Sequence, residues 1–174
     1  MTASSPLSEP TGDSAVRLVR LTEADTRWRD ILMTHELPAE QSRFAATAST
    51  SLPLGDADPN RVSVAIVVGD VPVGMFALDR DGYLREFDPD PKAILLRAFY
   101  VAPAHQGRGY ARAAVAQVAD FVRAHAPEIN RVVLTVNQAN PAAIRSYLAS
   151  GFSDTGEMYL GGDAGPQHVF ETLV

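Results

Sequence analysis

The stretch Val101-Ala-Pro-Ala-His-Gln-Gly-Arg-Gly-Tyr-Ala-Arg112 decides how this chain is read. It follows an apolar, strand-like run from Ile94 to Val101 and opens a helix-patterned run that ends near His125. A glycine-rich turn at a helix start leaves backbone N–H groups unpaired at the positive end of the helix dipole, which suits an anion such as pyrophosphate. Gly107 and Gly109 supply the torsional freedom and close approach that such a turn needs. Arg108 and Arg112 add positive charge beside it.

Three phosphate-binding patterns compete for this loop. A Walker loop needs Gly-x-x-x-x-Gly-Lys-Ser/Thr, and the chain has no such string. A dinucleotide fingerprint needs a third glycine where Arg112 stands, and an acidic residue after the next strand, which here ends in Asn137. The third pattern, Gln/Arg-x-x-Gly-x-Gly/Ala, is met by Gln106, Gly109 and Ala111, with Gly107, Arg108 and Tyr110 between them.

The 174 residues are expected to form one domain large enough to bury its apolar surface without staples. There is no cysteine, which excludes disulfides and thiolate chemistry and is compatible with a reducing cytoplasm. The net charge of -6 argues against a nucleic-acid partner, which requires a basic face. No signal-like N-terminus and no run of about 18 apolar residues appears, so a cytoplasmic protein without a membrane partner is expected.

Residues 1–14, rich in Ser, Thr, Pro and Gly, read as a disordered tail, leaving 15–174 for the domain. Val16 to Leu21 reads as a strand. Thr22, with Asp25 three residues on, reads as the N-cap of a helix whose apolar stripe is Trp28, Ile31 and Leu32. A second helix is expected from Pro38, with Gln41, Phe44, Ala45 and Ala48 on one side. Leu52 to Asn60 reads as a loop. Val62–Val68 and Val71–Leu78 read as a hairpin closed by Gly69-Asp70 in a type II′ turn, with an edge or bulge at Pro72 and Gly74. Asp79 to Lys92 reads as an unstructured polar loop. After the glycine loop, one helix runs to Pro127. Arg131–Val136 is a buried strand, and Asn140-Pro141 caps a further helix that Gly151 ends. Ser153–Leu160 and His168–Leu173 close the order β-α-α-β-β-β-α-β-α-β-β.

The second informative segment is Asn140-Pro-Ala-Ala143-Ile-Arg-Ser-Tyr147-Leu-Ala-Ser-Gly151-Phe152. By periodicity alone Tyr147 is a core aromatic between Ile144 and Leu148, and Asn140 is an N-cap. Together, the loop and this segment resemble the acetyl-CoA loop and the Asn-x-x-Ala-x-x-x-Tyr-x-x-x-Gly-Phe signature of the GNAT family of N-acetyltransferases. The resemblance spans roughly Val16 to Leu173. It implies an α/β fold, a single GNAT-type domain whose central, mostly antiparallel mixed sheet carries helices on both faces, and it implies acetyl-CoA as co-substrate.

The resemblance also implies residue roles. The Val101 N–H would polarise the thioester carbonyl, and Tyr147 would protonate the departing thiolate. Tyr100, Val101, Gln106, Gly107, Arg108, Gly109, Tyr110, Ala111, Arg112, Asn140 and Ala143 would hold the coenzyme. Glu36, Glu40 and Glu86, with Asp88, are candidates for the amine side and the general base, although each taken singly reads first as a solvated surface charge. No metal-ligand spacing joins His35, His105, His125 and His168.

Trp28-Arg-Asp-Ile31-Leu32, Leu37-Pro-Ala-Glu40-Gln41-Ser-Arg-Phe44-Ala45-Ala46 and Gly69-Asp-x-Pro-Val-Gly74 are similar to bacterial spermine/spermidine acetyltransferases, which implies a polyamine acceptor. Ala46-Thr-Ala-Ser-Thr departs from that subgroup. Another amine acceptor (an aminoglycoside, an amino acid, a protein N-terminus or lysine) stays open, as do a longer acyl donor and a non-catalytic acyl-CoA-binding module on the same fold. The resemblance also implies a possible homodimer.

Overall fold

A computed structural model describes residues 15 to 174, so the expected tail lies outside the described residues. Seven strands form one sheet: β1 Val16–Arg20, β2 Arg61–Val68, β3 Val71–Asp79, β4 Ala93–Val101, β5 Arg131–Asn137, β6 Ser153–Tyr159 and β7 Gln167–Leu173. Their spatial order is β1-β2-β3-β4-β5-β7-β6, and every neighbouring pair is antiparallel except β4 and β5. The helices are α1 Thr26–Met33, α2 Ala39–Ser42, α3 Ala48–Asp56, α4 Tyr110–Val115, α5 Val118–His125 and α6 Pro141–Ala149.

β2 and β3 are apolar almost without alternation because both of their faces are covered. One face carries Val64, Ile66, Phe76, Ile94 and Leu96 against Ala114, Val118 and Val122 of α4 and α5. The other carries Ala65, Val67, Met75 and Tyr100 against Leu32 of α1 and Ala48 and Leu52 of α3. A third cluster places Leu84 against Leu95, Val133 and Val169. Burial on this scale, at roughly 25 cal/mol per Å² of apolar surface, holds the sheet between its two helical layers.

The expected hairpin forms, with Val68 paired to Val71 and Gly69 at φ 61°. Gly is first in the turn and the only one of its two central residues in the left-handed region, as a type II′ turn requires. Pro72 does not mark an edge, because β3 is interior. A bulge does occur there: Ile66 faces Gly74 while Val67 faces Pro72.

Five expectations are corrected. The helix expected from Pro38 is a single turn, α2, because Phe44 and Ala45 turn back onto the carbonyl of Gln41 before a new helix starts. The loop expected from Leu52 is mostly α3, in which burial of Ser51 and Leu52 outweighs the helix-opposing Pro53 and Gly55. The helix after the glycine loop breaks at Ala116-Gln117, where the Gln117 amide donates to the carbonyls of Val16 and Ala113. The loop from Asp79 holds a 3₁₀ turn, Gly82–Glu86, whose Leu84 is fully buried. Thr22 is likewise not the N-cap of α1. It is bonded through its N–H and hydroxyl to the Asp25 carboxylate, and the helix starts one residue beyond Asp25.

Candidate active site

The sheet splits at its one parallel junction. β4 and β5 pair at Ala93–Arg131, Ile94–Val132 and Leu95–Val133, and the two strands then separate. The cause lies in β4: Met75 faces Tyr100 but Ala77 faces Arg97, so an extra residue is accommodated there. Ala98 takes φ 52°, a left-handed conformation unusual for a side chain-bearing residue. The bulge turns Tyr100 toward α1 and α3 while Phe99 and Val101 pack on the α4 side.

That register fixes where the strand end points. Val101 faces Gly74, and the Ala102 N–H donates to the Val73 carbonyl at 2.9 Å. The Val101–Gly74 pair is therefore of the non-hydrogen-bonded type, and the N–H and C=O of Val101 face away from β3, into the split. A Cβ on Gly74 would lie 2.1 Å from the Tyr100 carbonyl oxygen, so only glycine permits this close approach. The Val101 carbonyl accepts from the Gln106 amide at 2.8 Å, which leaves the Val101 N–H as the donor presented to the gap.

The glycine loop follows at once. Gly107 and Gly109 have φ 76° and 79°, and a Cβ at either would meet nothing within 4 Å, so open space lies in front of the loop. Outside the loop's own turn at 106–107, no backbone carbonyl among the described residues accepts from the N–H groups of residues 107–112. Arg108 and Arg112 are exposed at its rim. Open space, unpaired donors, a helix start and two cations fit a pyrophosphate. Tyr110 and Ala143 contribute no polar side-chain atom to this: the Tyr110 ring is buried in the core, and the Ala143 N–H is held by the Asn140 cap at 3.2 Å.

Tyr147 reaches the split from α6. Asn140 caps the helix with Pro141 following, and Gly151, at φ 97°, ends it. The Phe152 N–H returns to the Tyr147 carbonyl and the Gly151 N–H to that of Leu148, a Schellman ending that places the Phe152 ring against Tyr147. Phe99 of β4 touches the same tyrosine edge-on. Burial, and then the neighbouring Tyr83, hold the Tyr147 hydroxyl above the usual phenol range. It stays protonated at neutral pH, as a proton donor must.

The other candidates separate. Tyr100 is buried with its ring on the face that packs against α1 and α3; its hydroxyl lies 3.2 Å from His35 Nδ1, and burial raises its pKa. Asp88 is removed as a base, because it is buried in an ion pair with Arg131 at the closed end of the β4–β5 junction. Glu86 is exposed and accepts from the Tyr159 hydroxyl at 3.1 Å, next to Tyr83, whose hydroxyl meets Thr135 of β5 at 3.0 Å. Glu36 and Glu40 are exposed on the connection between α1 and α2 and on α2.

The sequence reading overlooked two residues. Gln41 exchanges amide hydrogen bonds with Gln106, at 2.8 and 3.3 Å. His35 is half-buried, and burial, with the nearby His105, pushes its pKa down to about 4. His105 is also half-buried. Nothing in local periodicity marks contacts that span 65 residues.

Residues 25–152 match the model of the acetyltransferase (GNAT) family. The chain belongs to the GNAT acetyltransferases. A GNAT relative in Bacillus subtilis, the uncharacterized N-acetyltransferase YbbJ, is 30% identical over 131 residues, covering 75% of this chain and 82% of its own. Among solved structures, AAC(6')-Ib in complex with paromomycin and acetyl-CoA superposes with a TM-score of 0.70 at 17% identity, over 91% of this chain and 93% of that one. The Vibrio cholerae spermidine N-acetyltransferase in complex with CoA and spermine gives 0.63 at 17% identity, over 91% and 95%. At such identities these two show a shared fold. As a member of the GNAT family, this domain is an N-acetyltransferase with acetyl-CoA as co-substrate.

Proposed function

We propose that the chain acetylates a primary amine of a small polycation, a polyamine such as spermine or spermidine, by direct transfer in a ternary complex in the cytoplasm. The observation that carries the reading is that two groups converge on the split: the Val101 N–H, turned into the gap by the β4 bulge, and the protonated Tyr147, whose ring meets Phe99 of the same strand.

Acetyl-CoA supplies an activated thioester. The N–H groups after Gln106, with Arg108 and Arg112, would hold its pyrophosphate, and Asn140 would flank it from α6. The Val101 N–H is a fixed donor of the kind that lowers the barrier where negative charge develops on a carbonyl oxygen. Tyr147 holds the proton that the leaving sulfur requires. Holding both substrates against one strand end supplies proximity.

Support for a polycationic acceptor comes from charge. Glu36 and Glu40 stand on the segment held beside Tyr100 and Gln106, and Glu86 stands on the aromatic wall of Tyr83 and Tyr159. A chain of ammonium groups is drawn to such an arrangement. The chain's similarity to polyamine acetyltransferases in the Trp28 to Ala46 segment supports the same class.

The test is free-thiol release from acetyl-CoA with a panel of spermine, spermidine, an aminoglycoside, free amino acids and a lysine peptide. Turnover highest with the polyamines is expected. Turnover confined to another amine overturns the acceptor assignment, and tight acetyl-CoA binding without turnover of any amine overturns the enzymatic reading.

A further inference from the structure

The segment that carries Glu36 and Glu40 is fastened at both ends, and its two anchors lie on either side of Val101. At one end His35 Nδ1 meets the hydroxyl of Tyr100, the residue before Val101, at 3.2 Å. At the other, Gln41 meets Gln106. Gln106 Nε2 donates to Gln41 Oε1 at 2.8 Å and to the Val101 carbonyl at 2.8 Å, while Gln41 Nε2 returns to Gln106 Oε1 at 3.3 Å. Both hydrogens of the Gln106 amide are therefore committed, and its orientation is fixed by two partners from different parts of the chain.

The consequence concerns the loop. Gly107 and Gly109 give the segment after Gln106 wide conformational freedom. What limits it at the strand side is the Gln106 side chain, clamped between the Val101 carbonyl and Gln41. α2 is one turn long, held by the bonds of Gln41 and Ser42 to the Pro38 carbonyl. A shift of that turn moves Gln41, and with it the partner that orients Gln106.

We propose that Gln41 is a positioning residue that couples the amine-side strap, residues 35–41, to the coenzyme loop. Each substrate, by ordering its own side of the Gln41–Gln106 pair, improves the binding of the other, and by linkage the effect is reciprocal. This rests on the proposed function for which side of the strap the amine occupies, but not for its effect on acetyl-CoA.

The variants are Gln41→Met, which keeps the length and loses both bonds, and Gln41→Glu, which keeps the acceptor for Gln106 Nε2. A partly exposed amide pair of this kind corresponds to about a three- to tenfold change in affinity. Acetyl-CoA affinity, measured by calorimetry on the whole chain without amine, should fall by that factor in Gln41→Met and recover at least in part in Gln41→Glu. In steady-state assays with the best amine of the panel, KM should rise for both substrates, with kcat nearly unchanged. Acetyl-CoA affinity within 1.5-fold of wild type in Gln41→Met, on the order of assay scatter, overturns the proposal. So does an equal fall of kcat with no change in KM, the sign of a merely less folded protein. If wild type turns over no amine while Gln41→Met still weakens acetyl-CoA binding, the role of Gln41 stands and only the acceptor reading falls.

Discussion

Gly74→Ala is the sharpest test of how the strand end is aimed. The added methyl would sit 2.1 Å from the Tyr100 carbonyl oxygen and 2.9 Å from the Val101 Cα, both of them backbone atoms that cannot rotate aside. Restoring ordinary contact, which begins at 3.4 Å, requires a displacement of β4 by about 1.3 Å. Overpacking of this kind costs about 1–3 kcal/mol of stability. Its effect on chemistry is separate: a reacting group misplaced by about 1 Å loses on the order of 100-fold in rate, about 2.7 kcal/mol of barrier. The assay is thiol release under acetyl-CoA saturation, paired with urea denaturation. Val122→Ala in α5 serves as a control, since it empties buried space in the helical layer without pressing an atom against the β4 backbone. Gly74→Ala should lose about 100-fold in kcat/KM, and Val122→Ala, at comparable loss of stability, should keep kcat within about threefold. A Gly74→Ala protein that is folded and as active as wild type would refute the argument that the Val101 N–H is aimed by this close approach.

Tyr147→Phe should lower kcat by about 10²–10⁴-fold with little change in acetyl-CoA affinity, because only the proton donor is removed; an unchanged kcat across pH removes the assigned role. His35, with its pKa pushed down to about 4, is neutral when folded and takes a proton more readily when unfolded. Its contribution to stability is therefore lost as pH falls from about 6.5 toward 4, by about 1–2 kcal/mol after solvent screening. Urea titrations at pH 7 and pH 5 should show a smaller pH dependence in His35→Gln, and equal slopes in the two proteins would place the effect elsewhere. Asp25, held low by the Thr22 N–H and hydroxyl, acts in the same direction but in the range below its ordinary 3.8. Asn140→Ala should cost about 1 kcal/mol through loss of the cap on α6, and thermal melts that match wild type would deny that bond its weight.

Where the sequence was readable, local chemistry decided the structure. Gly69-Asp70, Asn140-Pro141 and Gly151-Phe152 act within a few residues of themselves, and each forms the turn, cap or stop expected of it. The glycine loop was legible for the same reason. Misreadings fall where tertiary burial outweighs local preference. Pro53 and Gly55 oppose a helix, yet Leu52 and Ser51 are buried and α3 forms around them. Leu84 makes a core contact from a segment of mostly polar composition. Asp88 looked like a free carboxylate because its partner, Arg131, lies 43 residues away. The clasp of Gln41 on Gln106 was hidden for the same reason, since two solvated-looking glutamines carry no periodic signal.

The short β4–β5 junction has a mechanical consequence. Among the described residues the sheet consists of two halves, β1 to β4 and β5 to β7, joined by backbone bonds along the short stretch from Lys92 to Leu95. A molecule that enters the gap beyond that seam touches both halves, so it acts as a missing rung and braces the domain as well as reacting in it. Mass action sets the size of this bracing, about 2.7 kcal/mol at a ligand concentration 100 times Kd. Amide exchange in β4 after Leu95 and in β5 after Val133 should slow most when the gap is filled, making the seam itself a reporter of occupancy.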